Sequence, residues 1–320
     1  MDALSAIGRC GLLPVAIINN SANATDTARA ILAGGISAIE VTLRTDSAIE
    51  SISRISKEVP DIMVGAGTVL SVDNCIKAVE AGAKFIVAPG FNKDLVEWCI
   101  ENNVPVVPGV TSPTEIEKAL SCGLKVLKFF PANVYGGSKG CAALYGPYKS
   151  AGIKFIPTGG VNNENLSEYI GKPYIHAVGG SWMCKAADID AGNFEEIRAQ
   201  TAAAVKAALG FEFAHLGIYF DEENEAQLSA SILKRTFGFA EKQGRSSVFS
   251  SDKLELCKSR GLGRNGHVAV KTNSITLALE YLKRQGFSAN AESAKYRGEV
   301  LTSIYLDLEI GGFSVHLLQK

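Results

Sequence analysis

The sequence predicts an α/β protein. An eight-stranded parallel (β/α)8 barrel is expected over residues 1–208, followed by a smaller α+β domain of two βαβββ repeats over residues 211–320. Three observations predict this. Through the first part of the chain, short apolar runs alternate with amphipathic stretches of helical period, the pattern of a buried parallel sheet covered by helices. Glycines stand where those helices should stop. Near Leu209-Gly210-Phe211-Glu212 the rhythm changes to aromatic-rich strands and tight turns, and one round of it recurs about fifty residues later.

The barrel elements follow in chain order. Strands are expected at Leu13–Ile18, Ala38–Leu43, Ile62–Ala66, Lys84–Ala88, Val104–Val107, Val126–Phe130, Lys154–Thr158 and Ile175–Val178. Between them lie helical stretches such as Thr25–Ala33, Ser47–Lys57, Val72–Ala81 and Lys93–Glu101. Asp, Ser or Thr often opens these helices, where a side-chain oxygen accepts from an orphan backbone N–H. Gly34, Gly82 and Gly123 close helices ahead of the next strand. Eight such units in this length favour a closed barrel. A doubly wound open sheet is the competing arrangement. Its dinucleotide-binding version is disfavoured, because no Gly-x-Gly-x-x-Gly follows the first strand. Past residue 210, His215-Leu216-Gly217-Ile218 opens one round and His267-Val268-Ala269-Val270 opens the other. Lys234-Arg235-Thr236-Phe237-Gly238-Phe239 ends the first helix, and Lys283-Arg284-Gln285-Gly286-Phe287 ends the second.

Composition narrows the function classes. Hydrophobic residues make up 47% of the 320 and charged residues 20%, which predicts packed interiors rather than disorder. A net charge of −1 gives no reason to expect nucleic acid or an anionic membrane as partner. Seven cysteines, an odd number with no Cys-x-x-Cys pair, predict reduced thiols in a cytoplasm rather than a disulfide framework. The apolar stretch Gly11–Ile18 is broken by Pro14 and preceded by Asp2 and Arg9, which fails as a signal peptide. No apolar segment is long enough to span a bilayer.

The chemistry-bearing residues fall at strand ends, where barrels keep their active sites. Lys128 interrupts the apolar run Val126-Leu127-Lys128-Phe129-Phe130. An ammonium there is costly to desolvate, and a neutral amine is what a Schiff-base enzyme needs to attack a ketone. The alternative is a lysine that snorkels its charge to water. Alternation along the second strand puts Glu40, Thr42 and Arg44 on the face opposite Val41 and Leu43, toward the barrel axis. Glu40 suits a proton shuttle and Arg44 a carboxylate clamp, with a structural ion pair as the alternative. The third strand ends in Gly65-Ala66-Gly67-Thr68 and the fourth in Ala88-Pro89-Gly90. The last two strands end in Pro157-Thr158-Gly159-Gly160 and Val178-Gly179-Gly180-Ser181-Trp182. Glycine pairs at these two positions suit a phosphate cradled by backbone N–H groups, against ordinary βα turns.

Those segments together resemble the 2-keto-3-deoxy-6-phosphogluconate aldolase family, which includes enzymes that also cleave 4-hydroxy-2-oxoglutarate. The resemblance covers residues 1–208. It implies a class I aldolase on an eight-stranded barrel, a homotrimer, acting on a small keto acid without a cofactor. It implies Lys128 as the Schiff-base lysine and Glu40 as the acid/base. It implies Arg44 and Thr68 at the pyruvate carboxylate, with Pro89 and Phe130 shaping that pocket. Gly159, Gly160, Gly180 and Ser181 would hold the distal phosphate, and Thr158 would lie near the substrate hydroxyls.

Three of the chain's four histidines lie after residue 210. His215 and His267 open the two rounds at matching positions, Glu255 lies in the last strand of the first, and His316 in the last strand of the second. This domain resembles the vicinal oxygen chelate superfamily, which includes glyoxalase and dioxygenase domains. The resemblance implies a divalent metal held at these four positions. The family's usual residue at the last is Glu, and His316 departs from it; His is still a competent ligand for zinc, nickel, cobalt or iron. The alternative is a scaffold whose histidines only pack. For the whole chain, two other readings compete with an aldolase carrying an appended module. One is a phosphometabolite sensor on an inactive barrel, which the intact Lys128, Glu40 and Arg44 argue against. The other is a bifunctional protein whose C-terminal module is a separate metalloenzyme.

Overall fold

Helix starts show the local chemistry of the sequence directly. Ser71 accepts from Asn74 N ahead of the helix Val72–Glu80, and Asn92 accepts from Leu95 N ahead of Lys93–Glu101. Ser112 and Glu115 form a reciprocal capping box with Pro113 in the first turn of Pro113–Ser121. Ser47 departs from the expectation. It precedes the helix Ala48–Glu58 but does not cap it, because its hydroxyl donates to Ile18 O instead. Gly34 departs as well: its backbone is right-handed, and what demands glycine there is the close approach of Thr201.

The computed structural model describes residues 3–320, which divide into two units, one ending at Ala208 and the other running Leu209–Lys320. The first unit holds nine short parallel strands: β1 (Leu12–Ala16), β2 (Ala38–Thr42), β3 (Met63–Gly67), β4 (Ile86–Val87), β5 (Val106–Val107), β6 (Gly109–Val110), β7 (Val126–Phe129), β8 (Lys154–Pro157) and β9 (Val178–Gly180). They form a six-stranded sheet in the order β5-β4-β3-β2-β1-β9 and a three-stranded sheet β6-β7-β8. Isolated parallel bridges join Thr158 to Gly179 and Phe155 to Ile175. The expected fifth strand, Val104–Val107, is shortened to Val106–Val107, and a further strand, Gly109–Val110, follows beyond Pro108, which has no N–H for the ladder. The expected last strand lies further along, with Ile175 left as a single bridge.

Helices follow most strands, as the right-handed crossover of parallel strands requires. At one end of the sheet, Ile7 of the N-terminal helix Ala3–Cys10 packs with Leu13, Ala38, Phe85, Val107 and Ile156. That apolar plug leaves the opposite, C-terminal ends of the strands for polar groups.

The second unit is one eight-stranded sheet. Its strands are β10 (Glu212–Tyr219), β11 (Glu241–Gln243), β12 (Ser247–Ser250), β13 (Leu254–Cys257), β14 (Gly266–Thr272), β15 (Ala289–Arg297), β16 (Val300–Ile310) and β17 (Phe313–Gln319). Helices Glu223–Phe237 and Ile275–Arg284 follow β10 and β14. The order β11-β12-β13-β10-β14-β17-β16-β15 is that of two βαβββ repeats placed back to back. In each, the first strand runs parallel to the last and the other pairs are antiparallel.

The antiparallel pair β10–β14 joins the repeats, with Leu216 opposite Val268, His215 opposite Ala269 and Gly217 opposite His267. The helix of the first repeat covers one face of the sheet, where Ala226 and Ala230 meet Val248, Leu256 and Ile218. Residues of the other parity face away from it. Among the described residues no helix is long and apolar enough to cross a membrane.

Candidate active site and candidate metal centre

The C-terminal strand ends of the first unit surround a cavity of about 140 Å³ lined by Glu40, Thr42, Arg44, Thr68, Lys128, Phe130, Thr158, Gly159, Gly160, Gly180 and Ser181, with Val15, Ile17 and Val161. Register explains the convergence. Glu40 lies between Val15 and Gly65, and Lys128 between Gly109 and Ile156. Lys128 Nζ donates to Glu40 Oε1 at 3.1 Å, with the two side chains only 6% and 1% exposed. Two opposite charges so deep need each other, because either one alone would bear the full desolvation cost. Gly67 makes the pair possible, since a Cβ there would collide with the Glu40 carboxylate. The ammonium also lies 5.3 Å from the centre of the Phe130 ring.

Arg44 lies beyond the end of β2, exposed at the mouth of the cavity, and its Nε donates to Thr68 Oγ1 at 3.4 Å. Thr68 holds a left-handed backbone at φ 56°, uncommon for a β-branched residue and the kind of local strain that collects at functional sites. Thr42 is turned back, its hydroxyl donating to Ala16 O. On the far side, the loop after β8 is tied to the segment after β7 by Ala132 N to Thr158 O and Asn133 N to Gly159 O. The Trp182 indole donates to Asn163 Oδ1 at 2.8 Å, tying the loop after β9 to the loop after β8. Pro89 is the exception among the expected residues. It is not on the cavity wall; its carbonyl packs against Gly109. Val15, Ile17 and Val161 were not singled out from the sequence, because apolar residues carry no signal that separates wall from core.

In the second unit the four expected ligands come together. Glu255 is opposite Gly217 on β10, and His316 is opposite Ala269 on β14. Glu255 Oε2 lies 3.0 Å from both His215 Nε2 and His267 Nε2, and the two imidazole nitrogens are 3.2 Å apart. Donor atoms about 2.1 Å from one divalent ion would stand about 2.9–3.4 Å from each other, so this spacing fits a shared cation. The ligand nitrogens of His215, His267 and His316 all lie within 4.8 Å of one another, and buried His316 Nε2 has no hydrogen-bond partner. Gly217 gives the room: a Cβ there would strike the His267 ring.

The surroundings tune the set. Burial alone would raise the Glu255 carboxyl, but hydrogen bonds from His215, His267 and Ser247 outweigh it and hold the group well below the usual carboxylate range. Burial, helped by the charges of His267 and His215, pushes the His316 imidazole down to about 3, so it stays neutral with a lone pair free. Burial pushes the neighbouring Cys257 thiol up to about 12, and its sulfur stands with Glu255 and His267 in a second grouping that could hold an ion. The Tyr305 ring stacks on His316 at 4.7 Å. Ser247, Tyr305 and Cys257 were not anticipated, because their approach depends on strand order. The cluster lies in an open cavity of about 860 Å³.

Comparison with known proteins bears on the first unit. The model of the family described as KDPG and KHG aldolase matches residues 5–200. A 2-dehydro-3-deoxy-phosphogluconate aldolase of Treponema pallidum (strain Nichols) is 45% identical over 194 residues, which is 61% of this chain and 91% of that protein. A KHG/KDPG aldolase of Escherichia coli (strain K12) is 37% identical over 197 residues, 62% of this chain and 92% of the other. Among solved structures, the KDPG aldolase of Legionella pneumophila, with pyruvate captured at low pH as a covalent carbinolamine intermediate, is 35% identical. It superposes with a TM-score of 0.60 over 63% of this chain and 97% of its own.

Proposed function

The chain belongs to the KDPG and KHG aldolase family, and from that premise we propose that it cleaves 2-keto-3-deoxy-6-phosphogluconate to pyruvate and glyceraldehyde 3-phosphate, and 4-hydroxy-2-oxoglutarate to pyruvate and glyoxylate. The observation that carries this reading is the buried pair of Lys128 and Glu40, 3.1 Å apart at the strand ends of the first unit. Glu40 accepts the proton that Lys128 must give up before its lone pair attacks the C2 ketone. The carbinolamine hydroxyl takes that proton from Glu40 and leaves as water, which restores the carboxylate and gives an iminium that serves as the electron sink. Glu40, acting through water, removes the C4 hydroxyl proton. The C4 oxygen forms the carbonyl of the departing aldehyde as the C3–C4 bond breaks, and the electron pair of that bond moves to the iminium to form an enamine. Protonation at C3 and hydrolysis release pyruvate and restore Lys128.

In this reading Arg44 and Thr68 bind the keto-acid carboxylate, and Phe130 bounds the pyruvyl methyl group. Thr158 meets the substrate hydroxyls, while Gly159, Gly160, Gly180 and Ser181 cradle the phosphate. Taking β5 and β6 as one strand interrupted at Pro108, and the Thr158 to Gly179 bridge as the seam, gives a closed eight-stranded barrel. A homotrimer in the cytoplasm belongs to the same reading; the seven free cysteines are in keeping with that compartment. Borohydride added with pyruvate should trap one covalent adduct on Lys128, and Lys128→Met should lose both the adduct and the cleavage. An adduct mapped to another lysine overturns the mechanism.

A second reading concerns the C-terminal unit. Its two back-to-back βαβββ repeats and the convergence of His215, His267, Glu255 and His316 support a vicinal oxygen chelate domain that holds one divalent ion, zinc, nickel, cobalt or iron. When bound, the ion supplies Lewis-acid chemistry to an oxygen ligand.

A further inference from the structure

The wall beside the imidazole cluster is positively charged. Among the described residues, five cationic side chains, Arg260, Lys271, Lys295, Arg297 and Lys320, line the cavity, and the only carboxylate side chain there is Glu255. Glu255 is already engaged by His215, His267 and Ser247. Arg260 is paired with Asp221 and Lys320 with Glu212. Among the described residues Lys271, Lys295 and Arg297 make no ion pair. Concave walls of one sign concentrate counter-ions.

The sheet register fixes where these charges stand. Lys271 is opposite Leu318, Leu318 is opposite Ser303, and Ser303 is opposite Lys295. The four residues form one row across β14, β17, β16 and β15, with a lysine at each end. The next row on the same face is Ala269, His316 and Tyr305. Two residues of strand separate the rows, about 7 Å. Ser303 Oγ lies 3.4 Å from His316 Nδ1, so the rows are in contact. Arg297 and Val300 close the β15–β16 hairpin at the rim of the same cavity.

We propose that this cavity binds a small acid carrying two oxyanion groups, one seated at the imidazole row and the other held by Lys271, Lys295 and Arg297. The inference deepens the metal-centre reading above, and it stands on the lysine row independently of the ion. A dicarboxylate and a phosphorylated carboxylic acid share this chemistry, and the experiment separates them.

The test is acetylation footprinting of the full chain, read lysine by lysine through peptide mass spectrometry, on protein stripped by a chelator and on zinc-loaded protein. Succinate is the dicarboxylate probe, 3-phosphoglycerate the phosphorylated one, and chloride at equal ionic strength the control. Either acid should slow acetylation of Lys271 and Lys295 several-fold in both forms and leave exposed Lys57 and Lys172 unchanged. Arg297→Met should raise the acid concentration needed for half-protection by roughly tenfold, the loss of one charge-assisted contact. Protection by succinate alone assigns a dicarboxylate, and by 3-phosphoglycerate alone a phosphorylated acid. Labelling no slower with either acid than with chloride overturns the proposal, and so does an unchanged Arg297→Met response. Zinc content is measured on the same samples. Protection without zinc uptake keeps the anion site and sinks the metal reading, while zinc uptake without protection does the reverse.

Discussion

The two units gather their buried polar groups with opposite electrostatics. In the first, one ammonium and one carboxylate are sealed together in a cavity of about 140 Å³. In the second, three imidazoles and one carboxylate stand in an open cavity of about 860 Å³ rimmed by cations. A covalent mechanism needs few groups, held tightly, because the nucleophile must meet one carbon and one base must reach its proton. A coordination site needs several neutral lone pairs aimed at one point. Glycine serves both designs at the decisive place, Gly67 under Glu40 and Gly217 under His267.

The comparison breaks most sharply at Glu40. Replacing it with Gln should cut aldol turnover roughly a hundredfold or more, the usual weight of a positioned acid/base, while pyruvate still forms some Schiff base. Exchange of pyruvate methyl protons with deuterated water reads the proton step directly; a wild-type exchange rate in Glu40→Gln would assign the proton work elsewhere. The same variant should leave metal content unchanged. The converse change, His267→Ala, should weaken zinc binding by roughly a hundredfold or more, since even an outer partner of a metal ligand is worth 10–100-fold. Aldol cleavage should persist in it, as it should after chelation. Elemental analysis beside a cleavage assay checks both halves, and cleavage that dies with the metal would join what the comparison separates.

The smallest effect is on acid stability. The His316 value of about 3 lies below the ordinary 6.5, so between those values the unfolded chain holds a proton that the folded one does not. Stability from this group is full above about pH 6.5 and is lost as pH falls toward 3. Glu255, held below the carboxylate range, adds a loss in the same direction at lower pH. The metal-free second unit should therefore loosen on acidification from pH 7 to about 5.5 by an amount on the order of 1 kcal/mol. Hydrogen exchange along β14 and β17 measures it, and equal protection at both pH values would show that the His316 imidazole is not held neutral.

Much of this was legible from residues alone. Period and punctuation place β2 and β7, because a strand buried on both faces admits few polar residues, and Glu40 and Lys128 are conspicuous there. The repeat was legible for the same kind of reason: His215 and His267 stand 52 residues apart at equivalent points of the two rounds. Parity along β10 also carries Tyr219 to the same face as His215. Elsewhere a local rule misled: Ser47 looks like a cap, yet its hydroxyl goes to Ile18. Pro89, which the family resemblance puts at the pocket, packs with its carbonyl against Gly109.

By itself the sequence determined the alternation of elements, the inward parity of the reactive side chains and the duplication, because these follow from the period of helix and strand and from where charge is tolerable. Tertiary structure decided which strands are neighbours. That alone brings Glu40 to Lys128 across 88 residues of chain, and puts Ser247 on Glu255 and Tyr305 on His316. It also sets Lys271 and Lys295 at the two ends of one row. The physical reason is that hydrogen-bonded register and hydrophobic burial are properties of the whole sheet, and no local run of residues encodes the partner it will lie beside.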